Sequence, residues 1–204
     1  MKHINWGLNE PPILRRLETL GYKTFKSVDY DLNLIGIRNP NRRAGRFDDL
    51  FVVVYKEGFD FIEERYVCTT EAGLDQHLNP SNSKGVAVLK PGQYRGVYRL
   101  ALHRNKYEAL CQRNGEVTVY RDNNKDSKSD YTNEESGYFG INIHRAHRNK
   151  IAQSTNVYSQ GCQVIQNPAD FARLIALCHL QVSAGYHKFS YTLIEGTTSD
   201  FEEK

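Results

Sequence analysis

The 204 residues hold few means of cross-linking the chain and none of crossing a membrane by helix. Four cysteines, Cys68, Cys111, Cys162 and Cys178, lie far apart with no Cys-x-x-Cys pair. That spacing excludes a disulfide scaffold and points to free thiols in a reducing compartment. No apolar run approaches the roughly eighteen residues that a spanning helix needs. The opening MKHINWGLNEPPILRR has no apolar stretch between a basic head and a small-residue cleavage site, so no Sec-type export signal is expected and the chain is read as made in the cytoplasm. One-sided charge is missing as well: 27 Lys and Arg are interspersed with 24 Asp and Glu for a net +3, with no basic stripe to suit nucleic acid. Repeats and linkers are absent, so residues 1–204 are read as a single domain.

What is present is an ordinary globular composition, 39% hydrophobic and 25% charged, with aromatics tilted toward 13 tyrosines. Asn9 as a cap, the prolines after it, and Ile13, Leu14, Leu17 and Leu20 at helical spacing predict a short helix ending at Gly21, within an N-terminal helical extension over 1–30. Short runs rich in β-branched and aromatic residues follow at 32–37, 50–55, 59–67, 85–89, 98–102, 107–112, 116–120 and 137–144. The Arg-Asn-Gly between the 107–112 and 116–120 runs predicts a hairpin. Asn167 and Pro168 open a second helix with Phe171, Leu174, Ile175, Cys178 and Val182 on one face, stopped by Gly185. A closing strand is expected over 189–194 and a flexible acidic tail over 197–204. The fold class is therefore α+β, dominated by antiparallel strands. Segments 39–49 and 122–136 are long irregular loops, expected to be functional or mobile.

Cys162 stands apart from the other cysteines, on the small polar turn Ser159-Gln160-Gly161-Cys162-Gln163 before an apolar run. Upstream, Gly140-Ile141-Asn142-Ile143-His144-Arg145 places His144 at a strand end. If the intervening loop folds back, an imidazole meets a thiol, takes its proton and later returns it to a leaving amine. Such a pair is expected to keep Cys162 as thiolate well below the pH at which the other thiols ionise. Gly161 would let backbone N–H groups approach a developing oxyanion.

These residues resemble the L,D-transpeptidase (YkuD-like) catalytic domain, in which a strand ending in His is followed by a loop, then Ser-His-Gly-Cys and an acidic helix start. The resemblance covers 140–174, where Ser159, Gly161, Cys162, His144 and Asp170 fall in the family's order. Lys90-Pro91-Gly92-Gln93-Tyr94 looks like the family's upstream strand, and the whole pattern resembles phage or prophage wall-lysis proteins. The resemblance implies a sandwich-like fold and a cysteine-dependent hydrolase or acyl transferase of peptidoglycan stem peptides, reaching the wall after release from the host cytoplasm. In it Cys162 is the nucleophile, His144 the base, and the backbone around Gly161 and Cys162 the oxyanion hole, with Ser159 among the catalytic residues. Arg145, Gln160, Gln163, Tyr94 and His103 are the candidate substrate-binding residues. Arg145 replaces a small residue of the pattern, Gln160 its second histidine, and Val164 its arginine.

No cofactor or metal is expected. Two metal readings stay open beside this one: His144 and His147 with Cys162 as zinc ligands, and Asp122, Asn124, Asp126 and Asp130 as a calcium loop that lacks the required glycine at Ser127. A wall-binding module without activity is the alternative from another functional class.

Overall fold

The computed structural model describes residues 1–201. Its framework begins with β1 (Lys2–Gly7) and α1 (Pro12–Thr19), then β2 (Asn33–Arg38), β3 (Asp49–Glu57) and β4 (Asp60–Thr69) as an antiparallel series. After the short α2 (Leu74–Leu78) come β5 (Val86–Leu89), β6 (Gly92–His103), β7 (Tyr107–Gln112) and β8 (Val117–Asp122). The chain continues through β9 (Glu134–Gly137), β10 (Ile143–Arg145), β11 (Gln163–Ile165), α3 (Pro168–Ser183) and β12 (Phe189–Glu195).

The main sheet runs β1-β4-β11-β10-β7-β6-β12-β2-β3, and β3 also pairs with β4, so strands β4 to β3 close into a barrel-like ring. Strand β1 attaches to the outside edge of β4 beyond the stretch that meets β11. A separate small sheet, β5-β8-β9, stands beside the ring.

Strands β2 and β3 show why the sequence reads as continuous apolar runs and not as alternation. Leu34, Phe51, Val53 and Tyr55 face the main core, while Ile35, Ile37, Val52 and Val54 face a second core against Ile13, Leu14 and Leu17 of α1. A strand covered on both faces needs apolar residues at every position. Each buried α1 side chain contributes about 1.5–3 kcal/mol, so the helix is part of the fold. Helix α3 buries Phe171, Leu174, Leu177 and Cys178 and packs on β10 and β11; its Asn167 cap accepts the Ala169 N–H at 2.9 Å.

The α+β class and the main strands agree with the sequence, and several details differ. The 1–30 segment is not a helical extension, because residues 2–7 form a strand on β4. Asn9 does not cap α1; Pro11 precedes it without a side-chain cap. The expected 107–120 hairpin does not form: β7 lies between β6 and β10, whereas β8 joins the small sheet. Gln112 ends β7 by turning its side chain to Gly115 and Gly137, and the amides of Arg113 and Asn114 both reach the Val97 carbonyl. The hairpin that forms here is β6–β7 across Arg104-Asn105-Lys106. Segments 39–49 and 122–136 hold each other, with Ala44 N–H on Ser127 O at 2.9 Å and Ser129 N–H on Arg42 O at 3.0 Å. Of the tail, 198–201 form a 3₁₀ turn whose Asp200 pairs with Arg16 at 2.9 Å; residues 202–204 lie outside the described residues.

Candidate functional site

Strands β10 and β11 are parallel neighbours, with Ile143 opposite Gln163 and His144 opposite Val164. The Gln163 N–H donates to the Asn142 carbonyl at 2.9 Å, so the residue before β11, Cys162, sits beside Asn142. Parallel pairing requires the connecting chain to return along the sheet. That return is fixed by Thr155 N–H on Gly45 O at 3.2 Å, Gln166 Nε2 on Ala152 O at 2.8 Å, and Gly73 N–H on Ser159 O at 2.9 Å.

The turn itself is shaped by Ser159, whose hydroxyl donates to the Cys162 carbonyl at 2.8 Å and accepts the Gly161 N–H at 3.1 Å. Gly161 has φ +116°, and a Cβ there would drive into the Ala87 carbonyl of β5. Only glycine satisfies both demands. Cys162 is half-buried; Cys68, Cys111 and Cys178 are buried. Its Sγ donates to the Gly140 carbonyl at 3.5 Å.

His144 is 5% exposed and stacks on His103 with ring centroids 4.3 Å apart. Its Nδ1 lies 2.8 Å from the Arg145 carbonyl oxygen, which can only accept. Nδ1 therefore carries the proton and Nε2 keeps its lone pair. The Nδ2 of Asn142 donates to His103 Nδ1 at 3.1 Å, while its Oδ1 is fixed by the Gln112 N–H at 2.9 Å. His103 therefore has the opposite tautomer, protonated at Nε2. Burial pushes the His144 imidazole down to about 3, and His103 beside it adds to the shift. Burial likewise pushes His103 down to about 4. The Cys162 thiol is raised by burial to about 11, although the Asn142 backbone and Arg104 pull it down. Burial favours the neutral form of both groups, against the expected preformed thiolate, and the thiol donates to the Gly140 carbonyl and not to the His144 ring.

The remaining candidates are spread over different surfaces. Arg145 lies on the Tyr107 ring at 4.0 Å and lines a cleft of about 530 Å³ with Lys106, Tyr107, Ala146 and Arg148. Gln160 is exposed and lines another groove of about 210 Å³ along Gly85, Val86 and Ala87 of the small-sheet side. Gln163 is fully buried, accepting from Tyr191 OH at 2.9 Å and donating to Gly161 O at 3.4 Å, so its place is structural and not substrate-binding. The Tyr94 hydroxyl is committed to the carbonyls of Lys90 and Thr118 at 2.5 and 3.1 Å. Asp170 faces the N-terminal amine at 3.3 Å.

His147 uses Nδ1 to accept the N–H groups of Asn149 and Lys150 at 3.0 and 3.2 Å, which makes it a turn residue. In the 122–130 loop, Asn124 donates to Asp126 and Asp130 at 3.0 and 2.9 Å, and Asp122 accepts the Asp130 N–H at 3.0 Å. Among the described residues no group of three or more His, Cys, Asp or Glu is arranged to hold a metal ion.

Sequence reasoning missed Asn142 and Tyr107. Asn142 stands two residues before His144, on the same face of an extended chain, and that spacing was a readable signal. Tyr107 gave none, because its place depends on the β7–β10 pairing. Also unforeseen is a line of Ser129, His77 and Asp122, with Ser129 Oγ 3.4 Å from His77 Nε2 and His77 Nδ1 3.6 Å from Asp122. All three are at most 3% exposed and Ser129 donates to Glu71, so the line ties the 122–136 segment to α2 and to the chain just after β4.

Compared with protein-family models, with curated proteins and with solved structures, the chain matches none. Among the described residues no helix is long and apolar enough to cross a membrane.

Proposed function

We propose that this chain is a cysteine-dependent acyl-transfer enzyme acting on an amide of peptidoglycan stem peptides after release to the wall, with water as acceptor. The observation that carries the reading is the pairing of β10 with β11, which brings a half-buried thiol beside the strand whose imidazole keeps a free Nε2. The substrate class rests on the resemblance of 140–174 to the L,D-transpeptidase domain.

The neutral resting pair gives the order of events. Cys162 Sγ turns from the Gly140 carbonyl toward the substrate, and its proton passes to His144 Nε2 as the S–C bond forms. The Gly161 N–H is engaged by Ser159, which leaves the Cys162 amide as the backbone donor toward the oxyanion. His144 then returns the proton to the leaving amine, and water, deprotonated by the same Nε2, releases the acyl group. His103 and Asn142 hold the ring in place by stacking and hydrogen bonding and do not touch substrate.

The test is digestion of purified peptidoglycan with mass spectrometry of the released fragments. Wild type should release peptides ending at one defined bond, and Cys162→Ser should lower the rate by about 10³-fold or more with an unchanged melting temperature. Digestion that survives this substitution sinks the mechanism. The wall-binding alternative draws on the commitment of both the thiol and the Gly161 N–H at rest; sedimentation with wall material and no fragment release would favour it.

A further inference from the structure

The groove of about 210 Å³ on the small-sheet side borders the turn that carries the thiol. Gln160, one of its lining residues, stands two positions before Cys162. Ala87, another, sets its carbonyl against Gly161 where no Cβ would fit. Phe139, a third, directly precedes Gly140, whose carbonyl accepts from Cys162 Sγ at 3.5 Å.

The polar atoms left free in this groove are neutral. Among the described residues the side chains of Gln76, Ser81 and Gln160 make no hydrogen bond within the protein, and Asn82 commits only its Oδ1, to the Lys84 N–H at 2.9 Å. Arg121 is the one charged lining residue, and it is already engaged: its Nε donates to Glu135 at 2.7 Å and its guanidinium lies 4.8 Å from the centre of the Phe139 ring. An ionic ligand therefore finds no free countercharge here. Amides and hydroxyls both donate and accept, as do the acetamido and hydroxyl groups of a sugar. The half-buried Phe139 adds an apolar surface of the kind that packs on the C–H face of a pyranose.

Two of these groups are also held in place before any ligand arrives. A Cβ on Gly137 would lie 3.2 Å from the Phe139 ring, so the ring rests on the backbone. Ser159 pins the turn around Gln160 by accepting the Gly161 N–H at 3.1 Å and donating to the Cys162 carbonyl at 2.8 Å. Groups fixed in advance lose less entropy on binding.

We infer that this groove binds an N-acetylated sugar ring, with Phe139 packed on the ring and Gln76 and Gln160 reading its acetamido and hydroxyl groups. The inference rests on the proposed function where it takes that ring from the glycan strand of peptidoglycan: a strand held beside the turn presents its stem peptide to Cys162. Charge favours the glycan over the peptide as occupant, since stem peptides carry free carboxylates and amines whereas the glycan rings are neutral.

The experiment follows amide resonances of the full, nitrogen-15-labelled chain with Cys162→Ala, which binds and does not turn over. The probes are the β-1,4-linked trimer of N-acetylglucosamine, cellotriose, and the stem tetrapeptide Ala-γ-D-Glu-Lys-D-Ala. The N-acetylated trimer should shift the side-chain amides of Gln76 and Gln160 and saturate, and cellotriose, which lacks the acetamido groups, should bind about fivefold more weakly. Rising salt should leave the affinity unchanged, because no ion pair forms. Phe139→Ala should weaken binding of the trimer about tenfold. Gln160→Ala, at an exposed position, should weaken it about fivefold even if Phe139→Ala fails to fold. Absence of a saturable shift with the trimer overturns the groove as a sugar site, and so does a tetrapeptide that shifts these amides when the trimer does not. Equal affinity for cellotriose overturns the assignment to an N-acetylated ring. None of these readings uses the thiol. Trimer binding retained while wall digestion survives Cys162→Ser refutes the mechanism and leaves the groove; digestion that depends on Cys162 without trimer binding refutes the groove and leaves the mechanism.

Discussion

The stacked pair of His103 and His144 should make the protein measurably sensitive to mild acid. Unfolded, each imidazole takes a proton near pH 6.5; folded, burial holds them near 4 and 3. Between those values the unfolded chain binds more protons, so stability falls as pH falls through 6.5. At pH 5 the deficit is about 1.5 pH units per histidine, or about 2 kcal/mol each and about 4 kcal/mol for both, relative to pH 7.5. Asp49 works in the opposite direction, because burial raises its carboxyl to about 7 and the folded state keeps that proton while the unfolded state loses it. The comparison is therefore between wild type and variants, in which the Asp49 contribution cancels. With urea denaturation at pH 7.5 and 5, His144→Gln should remove about half of the histidine-linked loss, shifting the midpoint difference by about 1 M at a slope of about 2 kcal/mol/M. The imidazole proton resonances of both residues should stay untitrated down to pH 5. Parallel stability curves for wild type and variant, or a resonance titrating near 6.5, would refute the neutral stacked pair.

Gly161→Ala should destabilise by about 3 kcal/mol through its left-handed backbone and the collision with the Ala87 carbonyl; Gly140→Ala, at φ +70° with open space around it, should cost only about 1 kcal/mol, and equal denaturation midpoints would contradict the contrast. Arg173→Ala strands the fully buried Glu64 carboxylate, which Arg173 holds at 2.7 Å with Tyr55 and Tyr66 at 3.0 and 2.6 Å; thermal denaturation should show a loss of about 3 kcal/mol, and a change under 1 kcal/mol would mean water already reaches Glu64. Iodoacetamide should label Cys162 before the other three cysteines, with a rate still climbing above pH 9 because burial raises the thiol to about 11. A plateau near pH 6 on mapping the labelled peptide would restore the preformed thiolate.

Strands were legible wherever one residue type answered one local demand. The apolar run at 50–55 announced a strand, though not that both its faces are covered, and Asn167-Pro168 announced the start of α3. Pairing was not legible to the same degree. Arg-Asn-Gly after Gln112 has the residues of a tight turn, yet Gln112 spends its side chain on Gly115 and Gly137 and sends β8 to another sheet. Strand β1 was missed because its six residues alternate weakly and sit half-exposed at an edge. At the site, the Gly-Cys turn and the strand-end histidine could be read from residue type. The protonation state could not, since it depends on the His103 ring, which arrives from β6.

Strand β12 closes the ring, lying parallel to β2 and antiparallel to β6. During synthesis from the N-terminus, every residue of the Cys162 turn and all of α3 therefore emerge before the barrel can shut. Until residues 189–195 are available, β2 and β6 each present a row of unpaired amides and carbonyls, the kind of border that recruits other chains. A polypeptide stopped after Gly185 would carry the thiol, both stacked histidines and the basic cleft, and should still be inactive and prone to aggregate. The order of elements thus delays closure of the barrel until the chain has been made past Glu195.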